Sequence, residues 1–248
     1  MRRTVLLALI MMCTIPVSAA TDTTDLTQAK SLIIQAMKKV ESTSLSHWKY
    51  DVSHYENEEG EVTSSLERHE PNVNNANSSN EFNSKWQLLQ LNDKTPTKKQ
   101  IKNYLKEKQT RADNKKQGKG LSISLPEIID LPSLQLVSQT NVQTEMTFDV
   151  VIEQLGDDAI GKLKGRLRYN NQKEFIETIT ITNSEDFSAM FGSNITELEM
   201  VLEFIQMKNS VLPKQNNMIL KGTFAYFIEI DEVSSAKYFN YDLTMHTP

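Results

Sequence analysis

The sequence predicts an α+β fold, mostly β, in which a curled antiparallel sheet (a half-barrel) of about 8–11 strands packs against two helices. Three observations predict it. Two stretches carry apolar residues three and four positions apart, the period of a helix. Many other stretches alternate apolar with polar residues, the period of a strand. Short turn sequences separate those stretches, so we expect consecutive strands to pair as a meander. The first helix is N-terminal, and the second is expected on the concave side or as a lid.

The first 20 residues are expected to form a separate targeting segment. Arg2 and Arg3 precede an apolar run that ends at Val17, and small residues follow. Positive charge, apolar run and small residues in that order are the pattern of a secretory signal peptide. We therefore expect export to the periplasm, with cleavage after Ala19 or Ala20. Residues 21–248 are then expected to form a single domain.

Cys13 is the only cysteine of the chain and lies within this segment. Met12 precedes it, where a lipoprotein signal requires a small residue, so we do not expect lipid attachment. Without a thiol, the remaining chain can hold neither a disulfide scaffold, nor a cysteine-based metal site, nor a cysteine nucleophile. No later stretch reaches the roughly 20 apolar residues of a transmembrane helix.

Charge is unevenly distributed along the chain. Removing residues 1–20 leaves 25 of 27 basic residues against 32 acidic ones, so the net charge changes from −5 to −7. Residues 94–119 have a net charge of +8, so the other residues of 21–248 together have a net charge of −15. Lys98, Lys99, Lys102 and Lys106 fall largely on one side of the second predicted helix. This patch could contact an anionic membrane surface or an acidic partner protein; the alternative is a solvated helix face. Nucleic acid is not an expected partner.

The elements of the N-terminal half follow from these periods. Apolar residues at helical spacing predict a helix over 25–41. Alternation from Trp48 to His54, a turn at 57–60 and a second alternation at 62, 64, 66 and 68 predict a hairpin. An Asn-rich polar loop over 72–84 then leads to a third strand over 84–91.

The second helix is predicted to start at Thr95, with Pro96 in its first turn. Its narrow inner stripe consists of Ile101, Tyr104, Leu105 and Lys108. Residues 111–120 read as a mobile basic loop. From residue 121 onward no helix is predicted, because two prolines there favour extended or turn structure.

The last hundred residues predict most of the sheet. Alternating stretches lie at 146–152, 163–169, 175–181, 218–230 and 239–243, with turn residues between them. Residues 200–207 are apolar on both faces, so this strand is expected near the middle of the sheet.

The predicted apolar face of the sheet is wider than two helices can cover. The remainder must pack across a barrel or stay open as a cavity for an apolar ligand. The predicted ligand-binding residues lie on the apolar stripe of the late strands: Phe148, Val150, Ile152, Phe224, Tyr226, Ile228, Phe239 and Tyr241. The alternative is that these side chains are ordinary core.

This layout resembles the outer-membrane lipoprotein carrier and receptor family, the LolA/LolB-like half-barrels, and in particular uncharacterised exported proteobacterial proteins of that type. The resemblance is carried by Arg68-His69-Glu70-Pro71, Lys85-Trp86-Gln87-Leu88-Leu89 and Asn92-Asp93-Lys94-Thr95-Pro96-Thr97, and by the strand layout from Gly161 to Tyr241. It implies a curled sheet around a first helix, a lid of further helices, and a lipid or lipoprotein acyl chain as ligand.

No catalytic signature is present in the sequence. It contains no nucleophile elbow, phosphate loop, dinucleotide fingerprint or zinc motif, so we expect no enzyme activity, no cofactor and no metal. Arg68, His69 and Glu70 read best as a local structural group. The expected function is a periplasmic binding or carrier protein that holds an acyl chain or other apolar ligand. The alternative is an envelope structural or interaction module whose sheet is fully packed and binds no ligand.

Overall fold

A computed structural model of the chain describes residues 22–71, 85–116, 125–189, 192–225 and 227–244. Its helices are α1 (Asp22–Glu41), α2 (Lys98–Lys116) and the short α3 (Leu125–Ile128). The strands are β1 (Trp48–Glu58), β2 (Glu61–His69), β3 (Trp86–Leu91), β4 (Gln135–Gln139), β5 (Gln143–Asp149), β6 (Leu163–Asn170), β7 (Phe175–Asn183), β8 (Phe187–Ala189), β9 (Ser193–Met207), β10 (Ser210–Phe224) and β11 (Ile228–Leu243). The predicted signal peptide and the Asn-rich loop lie outside the described residues. No helix of the described part is long and apolar enough to cross a membrane.

All eleven strands belong to one antiparallel sheet that does not close into a barrel. The order is β3-β2-β1-β11-β10-β9-β7-β6-β5-β4, and β8 pairs only with β9. The predicted fold class, a mostly β curled sheet with two main helices, is confirmed. The order departs from a simple meander because β1 pairs with β11, which joins the first strand to the last, and because β7 pairs with β9 rather than with β8.

The main core lies between α1 and the C-terminal half of the sheet. Apolar residues at helical spacing in α1 pack on β7 and its neighbours, and Ile33 and Met37 are almost fully buried. On β7, Ile179 and Ile181 are completely buried. The face of the sheet on which both α1 and α2 lie is called the inner face below. The burial of this helix stripe against alternating strand residues is what holds this half together.

A second, smaller core lies at the first residues of β1. Trp48, Tyr50 and Leu212 are buried there, and Tyr238 and Tyr241 of β11 pack against them. The ring of Tyr50 lies 5.5 Å from that of Tyr241, and Trp48 meets Tyr241 edge to face at 6.0 Å. Aromatic pairs at these separations add to the gain from burial.

α2 starts two residues later than predicted and extends further. The hydroxyl oxygen of Thr97, not of Thr95, accepts a hydrogen bond from the backbone N–H of Gln100, while the Gln100 side chain accepts one from the N–H of Thr97. This reciprocal arrangement is a capping box. Residues 111–116, expected in a loop, are helical.

The region from 125 to 139 also differs from the prediction. Pro126 is the second residue of α3 and Pro132 the second residue of a 3-10 turn over Leu131–Ser133. Proline is tolerated in the first turn of a helix because the N–H it lacks would have no partner there. The edge strand β4 that follows was not predicted, because Gln135–Gln139 is short and only weakly alternating.

Candidate functional site

A cavity of about 650 Å³ lies between α2 and the inner face of the sheet. Its floor is formed by β2, β1, β11, β10 and β9, its roof by α2, and one wall by Leu88 and Leu91 of β3. Volumes of roughly 300–1,000 Å³ are usual for small-molecule sites. Met200 and Leu202 border the cavity and also pack against the main core, so the cavity begins where the cover provided by α1 ends.

The strand registers order the residues of the cavity floor into two rows that cross five strands. One row runs Ser65, His54, Ala236, Asn216 and Leu202. The next runs Thr63, Glu56, Ser234, Met218 and Met200. Neighbouring strands lie about 4.8 Å apart, so each row extends about 19 Å. Both rows are polar on β2 and β1 and apolar on β9.

The central polar group of the site is the carboxylate of Glu67. It lies on the inner face of β2, only 5% exposed. Its Oε2 accepts a hydrogen bond from the Tyr104 hydroxyl at 3.0 Å and lies 2.6 Å from the Lys108 ammonium. Its Oε1 accepts a hydrogen bond from the Ser65 hydroxyl at 3.2 Å, and the His54 ring lies 3.7 Å from Oε2. Tyr104 and Lys108 are four positions apart on α2, so one helix face supplies both contacts.

These contacts determine the protonation of the site. Burial alone would raise the pKa of Glu67, but the neighbouring His54 and Lys108 outweigh it and lower this pKa to about 2. Burial, and next the charge of Glu67, raise the pKa of Tyr104 well above its usual value. At neutral pH the site therefore holds an ionised carboxylate and a phenol that donates to it. The Glu67 carboxylate and the Tyr104 phenol are therefore already hydrogen-bonded to each other.

An aromatic wall adjoins this ion pair. The Lys108 ammonium lies 4.1 Å from the centre of the Trp86 ring, within the range of a cation–π contact. Trp86 in turn packs on Tyr50 and His69. The His69 Nδ1 lies 2.8 Å from the backbone oxygen of Trp48, and burial lowers the pKa of His69. His69 is thus a packed structural residue, and the second core supports the contact between Lys108 and Trp86.

The outer face of the same strands carries an ion pair of its own. Arg68 donates two hydrogen bonds to Asp51, at 2.7 and 3.0 Å, and Asn240 donates a third at 2.8 Å. Lys49 pairs with Glu70 at 2.7 Å. These contacts fit the structural interpretation of residues 68–70 and cross-link β2, β1 and β11 from outside. They do not face the cavity.

The predicted ligand residues do not line this cavity. Phe148, Val150 and Ile152 are buried in the main core, at 3%, 0% and 4% exposure. Phe224 and Ile228 lie exposed at the end of the β10–β11 hairpin, and Tyr226 is outside the described residues.

The two remaining predicted residues lie on β11. Phe239 pairs with Asp51 and shares its outer face. Tyr241 packs in the second core and donates a hydrogen bond to the backbone oxygen of Pro213. The structure thus separates the seven described residues among two cores, a hairpin end and an outer face. Ligand binding by them stays a prediction.

The four predicted contact lysines do stay together. Lys98, Lys99, Lys102 and Lys106 are exposed along α2, on the side away from the cavity. None of them forms an ion pair with another described residue. Their predicted contact with a membrane or acidic partner stays a prediction. Within the described ranges, no group of three or more His, Cys, Asp or Glu side chains is placed to hold a metal ion.

Sequence reasoning missed Glu67, Tyr104 and Lys108 as a site. Tyr104 and Lys108 were recognised on the inner stripe of α2, but as packing residues. The signal that could have found the site is a lysine on an otherwise apolar helix stripe, because a buried ammonium requires an acidic partner. The alternation at Thr63, Ser65, Glu67 and His69 offers that partner.

Comparison with known proteins assigns no role to the residues of this site. No family model matches the chain, and no curated protein matches it. A solved structure of a DUF1329 family protein from Desulfovibrio piger is similar at a TM-score of 0.36 and 7% identity, covering 90% of this chain and 95% of that one. None of these comparisons assigns the chain to the LolA/LolB-like family.

Proposed function

We propose that this protein is an exported, periplasmic binding or carrier protein, without catalytic activity, that holds a ligand with an acyl chain or similar apolar part in its half-barrel. The observation that carries the proposal is the cavity of about 650 Å³ on the inner face. A sheet that served only as a scaffold would gain stability by filling this space. Its site is the cavity under α2, not the late-strand stripe predicted from sequence.

The contacts of α2 support a role as cover for a ligand. None of its described side chains is fully buried, whereas α1 buries four. Its polar attachment to the sheet is concentrated at Glu67, through Tyr104 and Lys108. A cover with few buried side chains closes a cavity and still leaves the ligand a route of entry. This arrangement agrees with the helical lid that the LolA/LolB-like resemblance implies.

Titration with a fluorescent apolar probe such as N-phenyl-1-naphthylamine tests the proposal. We expect saturable binding of one probe per chain. The variant Ala236→Phe fills the middle of the cavity floor and should weaken binding about tenfold or more, since the ring occupies the ligand's space. The control is Lys237→Phe, one residue further along the strand and exposed. Equal binding by both variants, or no saturable binding by the wild type, would refute the proposal.

A second candidate function rests on the exposed lysines of α2. Contact with an anionic membrane surface would bring the cavity close to lipid, and four lysines on one helix face suit that contact. Changing Lys98, Lys99, Lys102 and Lys106 to Gln should then abolish cosedimentation with anionic vesicles while leaving probe binding intact. Vesicles of neutral lipid are the control.

An envelope module with a fully packed sheet is less well supported, because it offers no reason for the cavity.

A further inference from the structure

The polarity of the cavity floor changes across the sheet. On β2, β1 and β11 the floor carries hydroxyl, imidazole and carboxylate groups, while on β9 and the adjoining part of β10 it carries Met200, Leu202 and Met218. Asn216 lies at the boundary, paired with Leu202 on one side and Ala236 on the other. A ligand that spans the floor therefore meets a polar surface at one end and an apolar one at the other.

The polar end offers groups that have no partner within the described structure. The Asn216 amide and the Ser234 hydroxyl are half-buried, and neither forms a hydrogen bond with a described residue. A hydrocarbon chain over them would remove their water without replacing its hydrogen bonds, which disfavours binding. A headgroup with hydroxyl or amide groups would replace those bonds. This excludes a plain acyl chain as the best-fitting occupant.

The charges around the cavity leave little for a charged headgroup to bind. Glu67 is already paired with Lys108, and the exposed Glu107 and Arg111 on the α2 roof have opposite signs. In the second row, Glu56 lies near Glu232, whose pKa is raised by burial and by neighbouring carboxylates. A carboxylate or phosphate would be repelled there. The electrostatics thus disfavour an anionic headgroup. Glu56 is itself exposed to water, so it attracts a cationic headgroup only weakly, and an uncharged group fits best.

The apolar end suits a flexible chain. Met200, Met218 and Leu202 are half-buried, and Met200 and Leu202 also pack against the main core. Methionine side chains adapt their shape to a chain of variable conformation. Asn216 on β10 is paired with Leu202, so a headgroup that lies over Asn216 places its chain against these three side chains.

We propose that the cavity binds a single-chain amphiphile whose uncharged headgroup, bearing hydroxyl or amide groups, lies over Asn216 and Ser234 and whose hydrocarbon chain lies against Met200, Leu202 and Met218. This inference rests on the proposed binding function and specifies its ligand class. It differs from an acyl-chain site in that the headgroup, not only the chain, determines affinity.

Competition among amphiphiles with the same twelve-carbon chain tests the inference. Dodecyl glucoside, dodecanoate, dodecyltrimethylammonium and dodecanol would each displace the naphthylamine probe from the purified, delipidated protein below their micelle concentrations. We expect the glucoside to bind about tenfold more tightly than each of the other three, since its several hydroxyl groups can bond both Asn216 and Ser234, whereas the single hydroxyl of dodecanol can satisfy only one of them. Tightest binding of the carboxylate or the ammonium, or equal binding of all four, would overturn the inference and leave the binding function standing.

Two variants locate the headgroup. Asn216→Leu should remove most of the preference for the glucoside while dodecanol binds as well as before or better. Ser234→Ala should reduce the preference less, and Ser53→Ala, exposed on the outer face of β1, should not change it. An unchanged preference in Asn216→Leu and Ser234→Ala would refute the placement of the headgroup. Failure of every amphiphile and of the probe to bind would instead refute the proposed function itself.

Discussion

At the scale of single residues, Glu67 controls how α2 meets the sheet. A buried carboxylate destabilises a fold unless it is paired and hydrogen-bonded, and Glu67 has Lys108, Tyr104 and Ser65 as partners. Two of these come from α2, which lies more than thirty residues away in sequence. Since the pair also borders the cavity, the residue that positions the helix also shapes the cavity.

This carboxylate gives a defined pH dependence. The pKa of Glu67 is lowered from 4.5 to about 2, so its contribution is fully present above pH 4.5 and is lost as the pH falls through 2. Glu67→Gln should lower the free energy of unfolding by about 3 kcal/mol near pH 7. The deficit should shrink between pH 4.5 and 2. Urea denaturation at several pH values measures it.

The control for that experiment is Glu61→Gln, exposed on the same strand. It should match the wild type at every pH. A deficit in Glu67→Gln that stays constant from pH 7 to pH 2 would mean that the ionised form of Glu67 is not what stabilises the contact.

At the scale of elements, the two long helices differ in how firmly they are held. α1 buries Ala29, Ile33, Ala36 and Met37 to 3% exposure or less. α2 depends on its capping box and on a few side chains that face the cavity. Regions with few buried contacts open locally at a low free-energy cost. The sequence already contained this difference, since α1 has a broad apolar stripe and α2 a narrow one.

Hydrogen exchange should reveal that difference directly. We expect backbone amides of α2 to exchange at least about tenfold faster than those of α1. Thr97→Ala removes the cap and should accelerate exchange in α2 by a further factor of about five, corresponding to about 1 kcal/mol. Mass spectrometry of peptides from each helix measures this. Equal protection of both helices would contradict the assignment of α2 as a loosely held cover.

The β9–β10 pair depends on a close backbone approach at Gly222. A Cβ atom at this position would overlap the backbone oxygen of Asn194 on the neighbouring strand, and backbone cannot move aside as a side chain does. Gly222→Ala should therefore lower the free energy of unfolding by about 1–3 kcal/mol. Thr223→Ala, the adjacent residue, is the control. Thermal unfolding compares them, and equal stability would refute the close approach.

At the scale of the whole molecule, β11 joins two halves that are far apart in sequence. It pairs with β1 on one side and β10 on the other, and Ala236 has a partner on both. The main core lies between α1 and the C-terminal strands, and the ion pair of Glu67 lies between α2 and the N-terminal strands. The cavity lies where they meet, so its existence depends on this one strand.

Proline substitutions test the central position of β11. Ala236→Pro removes a ladder hydrogen bond in the middle of the sheet and should destabilise the protein by about 3 kcal/mol or more. Val137→Pro should cost less than about 1 kcal/mol, because Val137 is exposed at an irregularity of the edge strand β4. Circular dichroism during urea titration measures both. Similar losses in the two variants would contradict the strand order.

Much of the fold was predictable because local periods determine it. The alternation of Leu163, Leu167 and Tyr169 predicts a strand buried on one face, and all three are buried. The stripe of α1 likewise predicts the face that packs. The site was less predictable, because a buried acid, a lysine and a tyrosine become a unit only when α2 lies over β2. Thr95 was predicted as the helix cap, whereas the structure uses Thr97. The cause is local, since both threonines are acceptable caps.

The sequence by itself determined the class of fold, since periods of two and 3.6 residues dictate which faces must be buried. Only the tertiary structure decided where the unfilled space lies. The late-strand residues Phe148 and Val150 are covered by core, while the cavity lies under α2 at Glu67 and Asn216. The physical reason is the pairing of β1 with β11. These strands are far apart in sequence, and no local pattern encodes their contact.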